Sequence, residues 1–535
     1  MARALIGDQE ILCDDVAEVR NPYDGQVVDT VPILTSEWIR KAIDAASKAQ
    51  EELQSLSPAE RSRMLLNSSE AIRSNAEELA KLTAREIGRP IRSARADVIR
   101  AAAILDLAAS EVRHLLEGKF VPLGIYDYPA GNSRRLALTL REPLGVVATI
   151  TPFNFPAASF AHKIGPALAV GNAVVHKPAI SAPLTQLRMA QLIRASGFPA
   201  GALNVVTGSS SLIGNEFLSS DKISLISFTG SEKVGLEIAS RAVSSGKRVI
   251  MELGGSDAEI VFEDADMEKA ARAAVLGRFD YAGQFCNATK RLIVERKARE
   301  AFLQALLSQF QRLKVGDPLE EDTDVGPLIS DAAAASVREI YREAVQEGAL
   351  EIAALSTPRG GSFFPPTILE EVKPTMRLFS EEVFGPLLPV VYFDVEDEAI
   401  GLANATRFGL DASIFTSDLV RAFRVAKRLK VGTVTINDTT RLRWDNLPFG
   451  GTKRSGIGRE SVTDTMMEMT EPKLLVFAGD FRKKRISLEQ PRDWSRASSE
   501  TGAKSDALAL RLKLSPCDGL KEEDHCAEVH LSPRK

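Results

Sequence analysis

The chain has 535 residues, 44% of them hydrophobic and 26% charged, with a formal net charge of −5. Because a single core rarely serves more than about 300 residues, this length predicts two large domains with smaller appendages. The slight negative charge gives no reason to expect nucleic acid as a partner, and four cysteines do not make a disulfide scaffold.

No export or membrane segment is expected. Acidic residues follow the N-terminus too closely for the apolar core of a signal peptide. The longest uncharged apolar stretch, residues 143–161, contains three prolines and an asparagine, which favour a buried strand and loop over a spanning helix. We therefore expect a soluble cytoplasmic protein that binds no membrane.

The N-terminal quarter of the chain predicts short extended segments followed by helices. A turn at residues 21–25 separates the extended segments. A helical region begins at Ser36, and residues 57–60 (Ser-Pro-Ala-Glu) have the cap, first-turn proline and third-position glutamate of a helix start. Apolar residues spaced by three and four continue to about Leu116, with a break at residues 88–90.

Two later regions alternate strands with helices, which predicts an α/β fold with two doubly wound domains. In the first region the strands are continuous apolar runs, as expected for strands buried on both faces of a parallel sheet. They are predicted at residues 144–150, 173–176, 202–206, 225–228 and 249–251. The second region is expected after residue 286, with strands at 291–294, 388–392, 412–415 and 432–436 and helices around 296–313, 331–348, 397–405 and 418–428.

The remaining segments are predicted to lie outside these domains. Strands are predicted at 135–141 and 471–477, and their unpaired edges favour pairing with another subunit. From residue 486 to 535 the sequence is too polar to form a core, so a disordered tail is predicted. The cysteines and histidines of this tail fit no common zinc-ligand spacing, and no metal site is expected.

Cys286 is a candidate nucleophile. The other three cysteines, Cys13, Cys517 and Cys526, lie near the ends of the chain, which leaves Cys286 alone in its body. A single mid-chain cysteine in a sequence of this type is typical of cysteine-dependent enzymes. The alternative is that Cys286 is a small buried hydrophobic residue, as most free cysteines are.

Two segments are suited to a phosphate-bearing ligand. Residues 229–235 follow a predicted strand and open a helix, so Gly230 and Ser231 would let a phosphate approach the amides of a helix N-terminus. Lys177 ends a neighbouring strand at the same edge of the sheet, where it can reach a ribose or a phosphate. A plain strand–helix turn and a solvated lysine are the alternatives.

Glu252 is predicted to end a buried strand, and Asn154 lies in a loop that follows another. Burial would raise the pKa of Glu252 toward neutrality, which suits a general base, although a helix-capping or ion-paired glutamate is the alternative. Asn154 lies in a rigid loop between aromatic residues and prolines, where its amide can donate to a developing oxyanion. An asparagine in such a loop is also a common turn former.

Taken together, these segments resemble the aldehyde dehydrogenase superfamily over roughly residues 18–480. Seven motifs occur in the order that the family shows. They are Pro-Phe-Asn-Phe-Pro (152–156), Lys-Pro (177–178), Phe-Thr-Gly-Ser-x-x-x-Gly (228–235), Glu-Leu-Gly-Gly (252–255), Gly-Gln-x-Cys (283–286), Glu-x-Phe-Gly-Pro (382–386) and Pro-Phe-Gly-Gly (448–451). The segment 437–451 resembles the branch that contains lactaldehyde, phosphonoacetaldehyde and non-phosphorylating glyceraldehyde-3-phosphate dehydrogenases.

The resemblance implies a covalent mechanism. Cys286 would attack the aldehyde carbon, and the Asn154 side chain with the Cys286 amide would hold the oxyanion. Hydride would pass to a nicotinamide, and Glu252 would activate the water that hydrolyses the resulting thioester. Coenzyme-A-acylating relatives often lack the equivalent of Glu252, so its presence favours release of a free acid.

The resemblance also implies NAD or NADP as cofactor. The residues that would bind it are Thr151, Pro152, Phe153, Lys177, Gly230, Ser231, Gly235, Leu253, Glu382 and Phe384. NAD-preferring members commonly carry a glutamate three residues after the lysine of Lys-Pro, where this chain has Ile180, so NADP is not excluded. A dinucleotide-binding domain at 1–119 and 143–253, a catalytic domain at 254–460 and oligomerisation strands at 120–142 and 461–485 are expected, in a homodimer or homotetramer.

The substrate is expected to be a small hydroxy- or oxo-aldehyde of the lactaldehyde type. Relatives that use phosphorylated aldehydes often have an arginine directly before the nucleophile, where this chain has Phe285. Arg441 and Arg443 keep a smaller anion such as a carboxylate possible. His162 is a further pocket candidate, although a structural role is an alternative. The competing hypotheses are a semialdehyde dehydrogenase, of succinate semialdehyde or acyl-CoA-forming type, and a catalytically silent dinucleotide-binding protein.

Overall fold

Short strands and long helices make up the N-terminal quarter, as predicted. The computed structural model describes residues 1–116 and 118–478. The elements of the first segment are β1 (Ala4–Ile6), β2 (Gln9–Ile11), β3 (Val16–Arg20), β4 (Val27–Pro32), α1 (Ser36–Ser55), α2 (Pro58–Ser74), α3 (Ala76–Ile87) and α4 (Ile91–Leu115). The predicted capping box is present at the start of α2. The Ser57 hydroxyl accepts from the Glu60 amide at 3.2 Å, and the Glu60 carboxylate accepts from the Ser57 amide at 2.7 Å.

Residues 119–252 contain the first large sheet. Their elements are β5 (Lys119–Pro122), β6 (Arg135–Pro143), β7 (Val146–Ile150), α5 (Pro156–Val170), β8 (Ala173–Lys177), α6 (Leu184–Arg194), β9 (Leu203–Val205), α7 (Ser210–Ser219), β10 (Ile223–Thr229), α8 (Glu232–Ser244) and β11 (Arg248–Glu252). The parallel strands follow the order β11-β10-β7-β8-β9, and β1 and β2 extend the sheet beyond β9. Every residue of β7 and β8 is buried, which is why these strands read as continuous apolar runs.

Residues 257–436 form the second large sheet. Their elements are β12 (Asp257–Val261), α9 (Met267–Phe279), β13 (Thr289–Glu295), α10 (Arg299–Phe310), α11 (Asp331–Gln346), β14 (Leu350–Ala354), β15 (Thr367–Glu370), α12 (Arg377–Ser380), β16 (Leu387–Phe393), α13 (Glu396–Asn404), β17 (Asp411–Phe415), α14 (Leu419–Ala426) and β18 (Thr433–Ile436). The strand order is β14-β15-β16-β13-β12-β17-β18.

The start of this second sheet differs from the prediction. Its interior strand β12 precedes residue 286, whereas the sequence placed the first strand of this sheet after that residue. β12 escaped detection because Asp257 and Glu259 interrupt its apolar pattern, and both carboxylates are nevertheless buried. The strands β14 and β15 at the other edge were also missed.

The chain then adds β19 (Gly456–Ile457), α15 (Val462–Glu468) and β20 (Thr470–Ala478). β19 pairs with β11, whereas β20 pairs with β6 in a separate three-stranded sheet of order β20-β6-β5. The two strands that the sequence placed outside the main sheets therefore pair with each other. The predicted tail at 486–535 and the end of the expected 461–485 segment lie outside the described residues. Among the helices of residues 1–116 and 118–478, none has the length and hydrophobicity that a membrane span requires.

Candidate active site

The predicted site residues of the first sheet meet at one edge because the strands that carry them are neighbours. β11, β10, β7 and β8 are adjacent and parallel, so their carboxyl ends lie side by side. Glu252 ends β11, Thr229 ends β10, Asn154 follows β7 and Lys177 ends β8. Ligands of open α/β sheets bind at this edge. Cys286 comes from the second sheet, three residues before β13.

A cleft of about 320 Å³ runs between the two sheets. Its wall includes thirteen of the predicted site residues: Pro152, Phe153, Asn154, His162, Gly230, Ser231, Glu252, Leu253, Cys286, Glu382, Phe384, Arg441 and Arg443. Four predicted residues are not part of this wall, namely Thr151, Lys177, Gly235 and Phe285. The candidate nucleophile, base and oxyanion donor thus face one cavity.

Cys286 follows an unusual stretch of backbone. Tyr281, Ala282 and Gly283 have φ angles of +48°, +53° and +71°, so three successive residues adopt the left-handed region before the cysteine. The thiol is half-buried, and desolvation raises its pKa to about 12. The Lys290 ammonium opposes that shift, and it donates to the Phe285 carbonyl at 2.8 Å and to the Cys286 carbonyl. Lys290 is therefore the cation that favours the thiolate.

Asn154 is held beside the cysteine loop. Its side-chain Nδ2 donates to the Gln284 carbonyl at 2.9 Å, two residues before Cys286. This bond uses one of the two N–H groups of the amide, which leaves the second to donate to an oxygen in the cleft. The loop itself is tied to β8 by a bond from the Thr151 amide to the Lys177 carbonyl.

Glu252 lies in a buried cluster of charges. Burial raises its pKa well above the ordinary value, and Glu460 adds to that shift. Its Oε1 has no hydrogen-bond partner among the described residues and faces Gly450, where a Cβ would come within 2.8 Å. A carboxyl with a raised pKa and a free oxygen is suited to take a proton from water.

Lys163 and Glu460 are neighbours of this base that the sequence reasoning missed. The Lys163 ammonium donates to Glu460 Oε2 at 2.9 Å and to Ser227 Oγ at 3.0 Å, and Arg443 donates to Glu460 Oε1 at 3.1 Å. Although burial acts in the opposite direction, the two cations lower the pKa of Glu460. The sequence contained a signal for Lys163, because this lysine is a single charged residue within an otherwise largely apolar helix. Every residue of that helix is buried.

One half of the cleft fits a dinucleotide. The helix α8 begins here, and its N-cap residue Ser231 makes no side-chain capping bond, so the first amides of the helix remain available to a phosphate. Thr229 Oγ1 is buried beside them with no partner in the described part of the chain. At Gly254, which also lines the cleft, a Cβ would come within 2.0 Å of Glu382 Oε2. These features suit a pyrophosphate and ribose hydroxyls.

The three other cofactor candidates lie behind this surface. The Lys177 ammonium donates to the Pro178 carbonyl at 3.0 Å, and burial lowers its pKa to about 8. The Thr151 hydroxyl donates to Gln186 at 2.9 Å. Gly235 lets α8 pack against Leu253, where a Cβ would come within 2.1 Å of a methyl group.

The other half of the cleft is rich in arginine. Arg441 and Arg443 line it as expected, together with Arg100, which the sequence reasoning missed. Arg100 donates to Asp445 Oδ1 at 2.6 Å, and the same oxygen lies 2.8 Å from His162 Nε2. Burial lowers the pKa of His162 to about 4, so this imidazole is neutral near pH 7.

Phe285 does not line the pocket in which the sequence placed it. Its ring is fully buried behind the wall, and the Arg441 guanidinium covers it with the Cζ atom 3.9 Å from the ring centroid. The residue before the nucleophile therefore acts as the support for an arginine that comes from a distant segment. The absence of an arginine at position 285 does not make the pocket free of positive charge.

Comparison with known proteins shows the family of this chain. The model of the aldehyde dehydrogenase family matches residues 12–475. A lactaldehyde dehydrogenase of Methanocaldococcus jannaschii is 38% identical over 86% of this chain and 97% of that protein. Two crystal structures superpose on the fold. They are a glyceraldehyde-3-phosphate dehydrogenase of the same organism complexed with NADP (TM-score 0.82, 38% identity, 87% of this chain, 100% of that chain) and a succinate-semialdehyde dehydrogenase of Burkholderia pseudomallei (TM-score 0.86, 35% identity, 90% and 98%). The chain belongs to the aldehyde dehydrogenase family.

Proposed function

We propose that this NAD(P)-dependent aldehyde dehydrogenase oxidises a small hydroxy-aldehyde to its carboxylic acid through a thioester on Cys286. One observation carries the proposal: Cys286, Asn154 and Glu252 line the same cleft. The M. jannaschii relative, which is named a lactaldehyde dehydrogenase, supports a hydroxy-aldehyde as the substrate.

Each residue has a separate task in this proposal. The Cys286 thiolate, favoured by Lys290, attacks the aldehyde carbon, and the free N–H of Asn154 donates to the oxyanion that forms. When bound, the dinucleotide supplies the hydride acceptor that turns the adduct on Cys286 into a thioester. Glu252 then takes a proton from the water that attacks the thioester, and the acid leaves as Cys286 is regenerated. Burial raises the pKa of that base, Glu460 raises it further, and Arg443 and Lys163 lower it.

The remaining roles concern the binding of the dinucleotide in the cofactor half of the cleft. The amides at the start of α8 and the Ser231 hydroxyl would hold the pyrophosphate, and Glu382 would accept from ribose hydroxyl groups. Phe384, which packs edge-on against Phe153 with ring centroids 6.1 Å apart, would contact the nicotinamide. Ile180 carries no carboxylate that would repel a 2′-phosphate, so both NAD and NADP are accepted.

The test is turnover with a panel of aldehydes and both dinucleotides. The Cys286→Ala variant should form no reduced dinucleotide, whereas Glu252→Gln should give about one equivalent per active site and then stop, because the thioester is no longer hydrolysed. Full turnover by Cys286→Ala would disprove the mechanism. Dinucleotide binding without turnover of any aldehyde would favour a silent binding protein.

A second candidate is a semialdehyde dehydrogenase that produces a dicarboxylate. The observation in its favour is the set of three arginines, Arg100, Arg441 and Arg443, in the wall of the cleft. The similar crystal structure of a succinate-semialdehyde dehydrogenase adds to it. Comparison of kcat/KM for lactaldehyde and succinate semialdehyde separates the two candidates. Added coenzyme A should have no effect, because Glu252 supports hydrolysis.

The assembly proposed is a homodimer or homotetramer built through the three-stranded sheet. β20 lies at an edge of that sheet and exposes Leu474 and Val476, while Phe120 on β5 is 62% exposed. Exposed apolar edge strands favour pairing with a second copy. We also propose that the protein is cytoplasmic and that its domains have the boundaries predicted from the sequence. Light scattering of the purified chain checks the assembly, since a monomer would contradict it.

A further inference from the structure

Arg89 is a buried arginine near the active site. It lies between α3 and α4, next to Gly88, whose φ of +71° turns the chain. Only 3% of Arg89 is exposed. A buried guanidinium is costly to desolvate, so its hydrogen-bond partners identify what it stabilises.

The first set of contacts joins Arg89 to the loop of Asn154. Its NH1 donates to the Asn154 backbone carbonyl at 3.1 Å and lies 3.6 Å from Asp97 Oδ2. The same Asp97 oxygen accepts from the Ala157 amide at 3.1 Å. The Arg89–Asp97 pair therefore contacts both the loop, at the residue that carries the candidate oxyanion donor, and the first turn of α5, which follows it.

The second set of contacts joins Arg89 to the loop of Cys286. Its Cζ atom lies 4.4 Å from the ring centroid of Phe155 and 5.5 Å from that of Phe285. These two rings contact each other with centroids 4.9 Å apart. Phe155 directly follows Asn154, and Phe285 directly precedes Cys286. One guanidinium thus packs against the aromatic neighbours of both catalytic candidates.

We propose that Arg89 is a positioning residue that fixes the Asn154 amide relative to Cys286. It acts through Asn154 and touches no reacting atom, so the inference depends on the proposed role of Asn154. The oxyanion forms only after Cys286 attacks, and a donor that is misplaced at that moment loses most of its effect. Arg89 therefore contributes to kcat rather than to substrate affinity.

We expect that a lysine would not reproduce the contacts of this arginine. The planar guanidinium donates from Nε to Ser93 Oγ at 3.0 Å and from NH1 to Asn154, while its face lies on Phe155. An ammonium is a point charge without a stacking face or a fixed donor geometry. The Arg89→Lys variant keeps the charge beside Asp97 but removes the geometry.

The first experiment compares Arg89→Lys with Arg95→Lys in the full chain. Arg95 is on α4 and forms surface ion pairs with Glu77 and Glu321 at 2.8 and 2.7 Å. We expect Arg89→Lys to lower kcat about tenfold or more with KM changed less than about threefold, because donor placement affects the transition state. Arg95→Lys should leave both constants unchanged. A rise in KM with unchanged kcat for Arg89→Lys would overturn the proposal.

A double-mutant cycle with Asn154→Ala separates positioning from general destabilisation. Once Asn154 has lost its amide, Arg89→Lys should lower kcat by no more than about twofold, because there is no donor left to place. Equal losses in both backgrounds would show a merely structural role and overturn the inference. Full activity of Asn154→Ala would instead contradict the proposed function.

Ser93→Ala provides the same test if Arg89→Lys does not fold. It removes the acceptor of Arg89 Nε and keeps the guanidinium in place. A kcat loss that disappears in the Asn154→Ala background supports positioning. An unchanged kcat, or a loss that persists in that background, counts against it.

Discussion

The Arg441 guanidinium lies over the ring of Phe285, with its Cζ atom 3.9 Å from the ring centroid. Asp280 forms an ion pair with the same guanidinium. These two contacts fix the positive charge of Arg441 in the cleft wall, against the residue that directly precedes Cys286. Arg100 and Arg443 add two more cations to this half of the cleft.

Replacement of Arg441 by glutamine should therefore discriminate between substrates by charge. A charge-assisted hydrogen bond is worth about 1.5–3 kcal/mol, so kcat/KM for succinate semialdehyde should fall about 10- to 100-fold. Lactaldehyde, which has no carboxylate, should change less than about threefold. Arg424→Gln, which breaks a surface pair with Glu396, is the matched control. Equal losses for both aldehydes would show that Arg441 does not bind an anionic group.

The charge cluster around Glu252 predicts a shift of the pH profile. Thioester hydrolysis should increase as pH rises through the elevated pKa of Glu252, because only the ionised carboxylate takes a proton from water. Glu460→Gln removes a negative charge that raises this pKa, and it leaves Lys163 and Arg443 to lower it further. Both effects act in one direction, so the profile should move to lower pH.

Single-turnover decay of the thioester, measured from pH 5 to pH 9, checks this shift. Glu396→Gln, at an exposed ion pair on α13, should leave the profile in place. Glu252→Gln should remove the pH dependence together with the hydrolysis. A Glu460→Gln profile that is unchanged or moves to higher pH would contradict the assignment of Glu252 as the base.

The residue at position 180 is expected to affect how the enzyme distinguishes NADP, which carries a 2′-phosphate, from NAD. It follows Lys177 by three residues and is 37% exposed at the carboxyl edge of the first sheet. Ile180→Glu would place a negative charge where the 2′-phosphate of NADP would lie, so KM for NADP should rise about tenfold or more while KM for NAD changes little. Ile180→Gln has the same size without the charge and should not discriminate. Equal effects of the two variants would show that this position does not contact the adenosine ribose.

The sequence predicted most of the architecture because its signals are local. Strands buried on both faces appear as apolar runs, and the residues that end neighbouring parallel strands meet without further information. The strand β12 was missed because Asp257 and Glu259 break that pattern. Their burial depends on tertiary partners that no local pattern records.

The same limit explains the errors in the substrate half of the cleft. Arg100 lies on α4, far from Cys286 in the sequence, and only packing brings α4 to the pocket. Phe285 was assigned to the pocket because it precedes Cys286, yet its ring is buried behind the wall, where it packs against the guanidinium groups of Arg89 and Arg441. Lys163 was the one missed residue with a local signal, a charge within a fully buried helix.

Substitution of Gly254 would test dinucleotide binding in the cofactor half of the cleft without removing any polar group. It lies between the candidate base Glu252 and the amide of Gly255, which donates to Glu382 Oε1 at 3.1 Å. A Cβ at Gly254 would lie 2.0 Å from Glu382 Oε2, so the carboxylate must move away. The φ angle of Gly254 is not positive, and the substitution adds no backbone strain.

Gly254→Ala should therefore weaken dinucleotide binding about tenfold, the cost of one displaced ribose hydrogen bond to a carboxylate. Titration of the fluorescence of the reduced dinucleotide measures this directly. Gly401→Ala, on the open face of α13 where a Cβ meets nothing within 4 Å, should leave the affinity unchanged. If Gly254→Ala binds the dinucleotide as tightly as the parent chain does, Glu382 does not hold the ribose. The combined variant Gly254→Ala with Glu382→Asp places a shorter carboxylate beside the new methyl group. Recovery of dinucleotide affinity in this variant would show that the methyl group acts on Glu382 and not on the neighbouring Glu252.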